Sequence, residues 1–309
     1  MSRFPNLYLI GAPRAGTTYL QAQLNQSPDI FCPTNKEPFF FIRESMEYIL
    51  NGPKRKKFGV LKEEKDKSAY LSLYDNWNGE TYALDASTYY LSTPKIAERI
   101  YEANPEARII AILREPVERA FSHYLMELRD GWINESFEQA LIHEIKEMHS
   151  PKTPWGGHYC MIRNSLYLNG LESYYRLFGK DKMRVYLFED VDRNAQALLA
   201  DISQYLGIEL LSPGKTDEPR NSYAHNRFPI ISKMVNAYRC SHARDVINVI
   251  TPREARIIIG NWLNQIRFKE KMKPTITHQE RKILHEQLGD DYEKSLTFIH
   301  EKGLLFENS

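Results

Sequence analysis

Gly11–Thr18 reads G-A-P-R-A-G-T-T and sets the architecture of this 309-residue chain. The apolar run at 7–10 precedes it and predicts a buried strand, and a helix-like pattern over 19–26 follows it. A glycine-containing turn between a strand and a helix directs backbone N–H groups to one point, where the helix dipole adds partial positive charge. The turn therefore predicts an anion-binding loop that suits a phosphate group.

This loop is similar to the phosphate-binding loop of nucleoside triphosphatases, G-x-x-x-x-G-K-[ST], but it departs from that pattern. Position 17 is Thr instead of Lys, and the basic residue lies inside the loop as Arg14. In the triphosphatase loop the Lys reaches the β- and γ-phosphates, and the following Ser or Thr binds Mg²⁺. The departure disfavours ATP or GTP and leaves a loop for a single 5′-phosphate that carries a transferable group.

Apolar strands alternate with helical patterns along most of the chain. The predicted strands are 7–10, 82–86, 108–113 and 183–188, and the predicted later helices are 116–129, 137–147, 166–178 and 195–206, the last ending at Gly207 as C-cap. Near-continuous apolar strands separated by helices are typical of a parallel sheet that is covered on both faces. The predicted fold class is α/β, with a central parallel sheet flanked by helices and a helical C-terminal region.

Composition limits the classes of partner. The chain has 41 basic and 40 acidic residues, a net charge of +1, which predicts no nucleic-acid or membrane-surface partner. Cys32, Cys160 and Cys240 form neither a metal-spaced pair nor an evident disulfide framework, as expected in a reducing compartment. No apolar run is long enough to span a membrane, and the first strand follows Met1 too closely for a signal peptide, so we expect a cytoplasmic location.

Two further polar motifs follow predicted strands. Asp85–Tyr90 reads D-A-S-T-Y-Y, and Arg114–Tyr124 reads R-E-P-V-E-R-A-F-S-H-Y. Ligands of open α/β sheets bind beyond the carboxyl ends of the strands, so we expect both motifs to lie near the glycine loop. A helix beginning at Pro116 would let Arg114 and Ser122 face one anion together, although an ion pair of Arg114 with a neighbouring glutamate is an equal alternative.

The order and spacing of these motifs resemble the sulfotransferases that use 3′-phosphoadenosine-5′-phosphosulfate (PAPS). Residues 36–41, K-E-P-F-F-F, are similar to the K-E-P-H-F-F segment of the heparan-sulfate type, and 162–172 to its I-R-x-x-x-Y-x-x-x-L-E helix. The resemblance implies a sulfotransferase fold like that of P-loop nucleotide kinases in one domain, 1–309. Within it, 1–230 would form the nucleotide-binding core with acceptor-site insertions, and 231–309 a helical extension.

The resemblance also implies roles for individual donor-binding residues. The 5′-phosphosulfate would contact Gly11, Pro13, Arg14, Ala15, Gly16, Thr17 and Thr18. The alternative for the two threonines is that they only cap the helix. The family usually has Lys where this chain has Arg14, which would stabilise charge instead of donating a proton. Arg114 and Ser122 would hold the 3′-phosphate. Tyr167 is a nucleotide or acceptor contact or a core residue, and Asn221 and His225 fall in the segment that covers the nucleotide.

Glu37 is the leading candidate for the general base, because it matches the Glu of the K-E-P segment. A carboxylate within hydrogen-bond reach of the acceptor can take the proton that the acceptor loses as it attacks sulfur. The alternative is an ordinary ion pair with Lys36. His123 and Asp85 are further candidates for the base. The alternative role for His123 is packing against the sheet. The alternatives for Asp85 are orienting the acceptor or a catalytic side chain, or forming a turn.

The predicted reaction is transfer of a sulfuryl group from PAPS to a hydroxyl or amine of a small molecule, such as a secondary metabolite, a toxin or a glycoside. Adenosine 3′,5′-bisphosphate (PAP) is the product, and no metal is required. A small acceptor is expected because the composition is not basic enough to attract a polyanion. The alternatives are a phosphotransferase similar to nucleotide kinases and a non-catalytic nucleotide-binding protein. The sequence leaves the oligomeric state open.

Overall fold

The computed structural model describes residues 4–34, 37–42, 67–148, 159–210, 224–226, 268–270 and 274–306. Five parallel strands form a central sheet in the order β2-β3-β1-β4-β5. The strands are β1 Leu7–Gly11, β2 Ile30–Phe31, β3 Tyr82–Asp85, β4 Arg108–Leu113 and β5 Met183–Leu187. The predicted parallel sheet is therefore confirmed.

Strands β1 and β4 occupy the middle of the sheet because they are the most continuously apolar. Every residue of β1 is buried, and in β4 only the first residue, Arg108, is partly exposed. The four predicted strands agree with the structure to within one residue at either end. Strand β2 was not predicted, since two residues carry no measurable periodicity.

Helices connect and flank these strands. They are α1 Thr17–Leu24, α2 Lys67–Ser72, α3 Ile96–Ala103, α4 Pro116–Asp130, α5 Phe137–Met148, α6 Leu168–Phe178, α7 Phe188–Arg193, α8 Ala195–Leu206, α9 His278–Leu288 and α10 Asp291–Glu301. Two 3₁₀ turns lie at Phe40–Ile42 and Arg163–Ser165, and β6 Ala224–Asn226 pairs antiparallel with β7 Phe268–Glu270. The predictions for α4, α5 and α8 are confirmed, including the left-handed Gly207 that ends α8. Helix α3 was not predicted.

Helix α6 begins two residues later than its apolar pattern predicts. The Asp291 carboxylate accepts hydrogen bonds from the backbone N–H groups of Tyr167, at 2.7 Å, and Leu168, at 3.3 Å. A residue from the first turn of α10 thus satisfies the open donors at the start of α6. The start of α6 is fixed by a partner far away in sequence.

The C-terminal segment packs onto the sheet domain. Helix α9 contacts α4 and α5, and α10 contacts α6. Beyond α10, the backbone of Val185 in β5 donates to Leu304 at 3.0 Å and accepts from Phe306 at 3.3 Å. This bridge continues the parallel sheet beside β5, so the end of the described chain covers that edge strand.

Candidate active site

The glycine loop lies directly after β1 and is shaped by two glycines. Gly11 has a φ of +144°, and a Cβ added there would lie 2.5 Å from the carbonyl oxygen of Thr88. Ala12 N–H donates to the Ile112 carbonyl at 2.7 Å, which anchors the loop to β4. Gly16 is left-handed, with a φ of +89°, and occupies the N-cap position of α1, so neither Thr17 nor Thr18 does. In the described part of the chain no side chain caps this helix, which leaves its N-terminus suited to an anion.

Arg14 is the meeting point of the two predicted anion-binding positions. Its Nε donates to the Ser122 hydroxyl at 3.2 Å, and its Nη1 lies 3.5 Å from the sulfur of Met126. Its backbone carbonyl accepts a hydrogen bond from Nη1 of Arg114 at 3.2 Å. The structure therefore links Ser122 to the side chain of Arg14 and Arg114 to its backbone. The Arg114 guanidinium also lies over the ring of Phe188, 4.5 Å from its centroid.

Several positive charges crowd this position. Burial, together with the charges of Arg129, Arg114 and Arg119, lowers the pKa of Arg14 to about 10, against an opposing effect of Asp130. Burial likewise lowers the pKa of Arg114 and of Arg119. Arg14 still carries its charge at neutral pH. An anion bound at the loop would relieve the repulsion among these side chains.

Arg119 is a part of this site that was not assigned a role from the sequence, although it lies within the 114–124 motif. It is fully buried in α4. Its Nη1 donates to the carbonyl of Pro13 in the glycine loop at 3.2 Å, and its Nε donates to the Ser165 hydroxyl at 2.7 Å. Nη2 donates to the carbonyl of Met161 and, at 3.4 Å, to that of Cys160. The residue joins the loop to the segment at 160–165.

Tyr167, predicted as a ligand contact or a core residue, is fully buried. Its hydroxyl donates to the backbone carbonyl of Arg114 at 2.9 Å. Tyr167 thus supports the backbone of an anion-binding candidate. A direct role in nucleotide binding stays a prediction.

Glu37 is connected to the glycine loop through Thr88. The Thr88 hydroxyl donates to Oε1 of Glu37 at 2.6 Å, and the Thr88 carbonyl is the group that leaves no space for a side chain at Gly11. Glu37 has a left-handed backbone with a φ of 59°, and its side chain is partly exposed. The candidate base is thus held near the beginning of the loop, which fits its predicted role without testing it.

Asp85 lies at the end of β3 and is fully buried. Its carboxylate accepts hydrogen bonds from Ser87 at 2.6 Å, Tyr70 at 2.7 Å and Tyr90 at 3.1 Å. Ser87 in turn accepts the backbone N–H of Phe39 at 3.0 Å. Burial raises the pKa of the Asp85 carboxyl to about 6, although its three hydrogen bonds oppose the rise and the charge of Glu37 adds to it. Of the predicted alternatives, the geometry favours a residue that orients the segment carrying Glu37.

The remaining predicted residues are less informative. His123 is fully buried in α4, with Nε2 at 3.5 Å from the carboxylate of Glu127, which is also buried. This placement resembles the predicted packing role more than that of an accessible base. Asn221 lies outside the described residues, and His225 is placed as the middle residue of β6 without a described side chain.

A cavity of about 310 Å³ lies between the turn at 91–95, the start of α3 and the start of α6. Its walls include Ser92, Lys95, Arg163, Asn169, Ser173 and Tyr174. Helix α3 leaves the carboxyl end of β3 and α6 precedes β5, so both helices begin at the same end of the sheet as the glycine loop. Sequence reasoning missed this cavity because its walls come from segments far apart in the chain.

The fold is α/β, with a parallel sheet whose first strand leads through a glycine loop into a helix. Arginines lie close to this loop, at the end of the sheet where open α/β proteins bind their ligands. The model of the sulfotransferase family matches residues 5–212, and the chain belongs to this family. The crystal structure of a sulfotransferase from Alicyclobacillus acidocaldarius is 30% identical, with a TM-score of 0.64. The similarity covers 77% of this chain and 94% of that one. The family membership predicted from the motifs is therefore confirmed.

Curated relatives are more distant and longer. The membrane-associated sulfotransferase kil1 of Dictyostelium discoideum is 22% identical over 78% of this chain and 64% of its own length. Human heparan sulfate glucosamine 3-O-sulfotransferase 6 is 23% identical over 75% of this chain and 59% of its own. The chain thus spans less than two thirds of these two relatives. Among the described residues, no helix has the length and apolarity needed to cross a bilayer. The cytoplasmic location stays a prediction.

Proposed function

We propose that this enzyme transfers the sulfuryl group of PAPS to a hydroxyl or amine of a small-molecule acceptor. The observation that carries the proposal is that Arg14 contacts both Ser122 and Arg114, which joins the two predicted anion-binding positions. One is the glycine loop at the start of α1, and the other is formed by Arg114 and Ser122. A nucleotide with a 5′-phosphosulfate and a separate 3′-phosphate offers one anionic group to each position.

The residues of the loop fit the 5′ end of such a donor. Gly11 has no side chain, which lets the loop pass close to the Thr88 carbonyl. The start of α1 presents backbone N–H groups beside the charge of Arg14. Arg114 supplies a guanidinium for the 3′-phosphate, and planar guanidinium groups bind phosphate with paired hydrogen bonds. Ser122, the other member of this second position, contacts Arg14 and would offer its hydroxyl to the same 3′-phosphate.

Glu37 and Arg14 would divide the chemistry between them. As the acceptor oxygen or nitrogen forms its bond to sulfur, Glu37 takes the proton that the acceptor loses. The bond between sulfur and the bridging oxygen breaks, and negative charge develops on the departing phosphate. Arg14 stabilises this charge as a permanent cation, because a pKa of about 10 keeps its proton in place at neutral pH.

The cavity beside α3 and α6 supports a small acceptor. Its volume of about 310 Å³ lies at the lower end of small-molecule sites. Nη1 of Arg99 in α3 donates to the carbonyl of Phe41 at 2.6 Å, so the helix that lines this cavity also holds the segment that carries Glu37. Lys95 and Arg163 on its walls would favour an acceptor with an anionic group.

The test is a transfer assay with ³⁵S-labelled PAPS and a panel of phenols, amines, glycosides and heparan fragments. We expect label on a small acceptor, and Glu37→Gln should lower turnover by about 100-fold or more with the affinity for PAP unchanged. The matched control is Glu286→Gln, an exposed glutamate on α9 that pairs loosely with Lys282. Transfer of the label to polysaccharide alone would show that the acceptor is a carbohydrate polymer and not a small molecule. Stabilisation by ATP with Mg²⁺ and not by PAP would refute the donor assignment.

A further inference from the structure

Arg119 directs all of its nitrogen atoms to protein acceptors and therefore has a role other than direct contact with a ligand. Nε, Nη1 and Nη2 donate to the Ser165 hydroxyl, the Pro13 carbonyl and the carbonyls of the 160–161 segment. The side chain is fully buried. Burying a guanidinium is costly unless its donors are satisfied, as they are here.

The segment that Arg119 grips is held from its other side by Glu144 of α5. The buried Glu144 carboxylate accepts the backbone N–H groups of Met161 at 2.8 Å, Ile162 at 2.9 Å and Arg163 at 2.9 Å. Arg119 thus binds carbonyl groups of this turn while Glu144 binds its N–H groups. The backbone groups of this turn are therefore bonded from both sides by buried side chains.

This turn also reaches the second anion-binding position. The Ser165 hydroxyl lies 2.8 Å from the carbonyl of Met161 and 3.2 Å from that of Pro116, and the Tyr167 hydroxyl donates to the carbonyl of Arg114 at 2.9 Å. One short segment is therefore connected to the glycine loop through Arg119 and to Arg114 through Tyr167. The segment therefore contacts both of the predicted anion-binding positions from behind, in addition to the direct contact between Arg114 and the Arg14 carbonyl.

We propose that Arg119 is a positioning residue that fixes the spacing of the two anion-binding positions, so that the site selects a nucleotide with two phosphates over one with a single phosphate. The inference rests on the proposed function. When one molecule occupies two sites, the second contact is intramolecular, and its benefit depends on the sites being held at the matching distance. A lysine in place of Arg119 would keep the charge but lose the fork that reaches three acceptors at once.

The experiment measures the affinities of the full chain for PAP and for AMP by calorimetry. In the wild type we expect PAP to bind more tightly than AMP, and in Arg119→Lys we expect this ratio of affinities to fall about tenfold. The control is Leu198→Ala on α8, a fully buried position outside the hydrophobic cluster that contains Met161 and Ile162. This control should lower the melting temperature and leave the ratio of PAP to AMP affinity unchanged. It therefore separates general destabilisation from a change in the spacing of the two anion-binding positions.

Ser165→Ala is the second variant, because it removes one acceptor of Arg119 and disturbs the core less. It should reduce the ratio in the same direction by a smaller factor, and it decides the matter if Arg119→Lys does not fold. A wild-type ratio retained in these variants overturns the role of Arg119 and leaves the proposed function standing. A wild type that binds PAP no better than AMP overturns both.

Discussion

Replacing Asp85 with Asn should change how the stability of the protein depends on pH. The Asp85 carboxyl is buried, and its pKa is raised from 3.8 to about 6, so the folded protein holds this proton more tightly than the unfolded chain does. The stability that this group contributes is therefore fully present below about pH 4 and is lost as the pH rises through about 6. A difference of about 2 pH units, at about 1.4 kcal/mol each, corresponds to about 3 kcal/mol.

The assay is urea denaturation of the wild type and Asp85→Asn at about pH 4 and about pH 7. Asn does not titrate, and its mismatch with the hydroxyl donors of Ser87, Tyr70 and Tyr90 costs nearly the same at both pH values. The advantage of the wild type in free energy of unfolding should therefore shrink by about 3 kcal/mol between the two conditions. The other titrating groups cancel in this difference.

A second variant tests the same reasoning from the opposite side. The hydrogen bond from Tyr70 lowers the pKa of Asp85, so Tyr70→Phe should raise it further and steepen the loss of stability with pH. If the difference between wild type and Asp85→Asn were the same at both pH values, the buried carboxyl would not titrate in this range. The account of Asp85 as a buried carboxyl with a raised pKa would then be wrong.

Gly11→Ala should destabilise the protein by about 2 kcal/mol or more, because its Cβ would lie 2.5 Å from the Thr88 carbonyl. Thermal melts measure the loss, and the control is Gly79→Ala. Gly79 has a φ of +108° and no atom within 4 Å of the new Cβ, so this variant introduces backbone strain without a steric clash. Thr88→Val should lower turnover about tenfold without changing PAP affinity, because it removes the hydrogen bond that holds Glu37; full activity would mean that Glu37 needs no such support. Arg114→Ala should weaken PAP binding about tenfold or more while affecting adenosine 5′-phosphosulfate far less, and equal losses would argue against a 3′-phosphate contact.

The sequence predicted those parts of the fold whose causes are local. Strand β4 is a continuous apolar run followed by Pro116 at the first position of a helix, and both signals lie within neighbouring residues. The glycine loop was predictable for the same reason, because Gly11 and Gly16 lie at the ends of one turn. Helix α3 escaped notice because its first residue follows a left-handed Lys95, which no local pattern marks.

The contacts that organise the site could not be predicted, since they join residues that are distant in sequence. Thr88 meets Glu37 across 51 positions, and Arg119 meets Pro13 across 106. A motif shows that Arg119 is present but gives no indication of whether it points to the ligand or to the backbone behind it. Only the packing of α4 against the turn at 160–165 distinguishes these orientations.

Asp291 contacts the start of α6, so the part of the chain that matches the family model, residues 5–212, depends on a residue outside it. A carboxylate in α10 orders the backbone of Tyr167, and the hydroxyl of Tyr167 supports the carbonyl of Arg114. A residue beyond the matched range of 5–212 is thus connected, through Tyr167, to Arg114, which is predicted to bind the donor. Exchanging the C-terminal helices between related enzymes should therefore alter the predicted nucleotide site. A chimera designed to leave that site unchanged should retain Asp291.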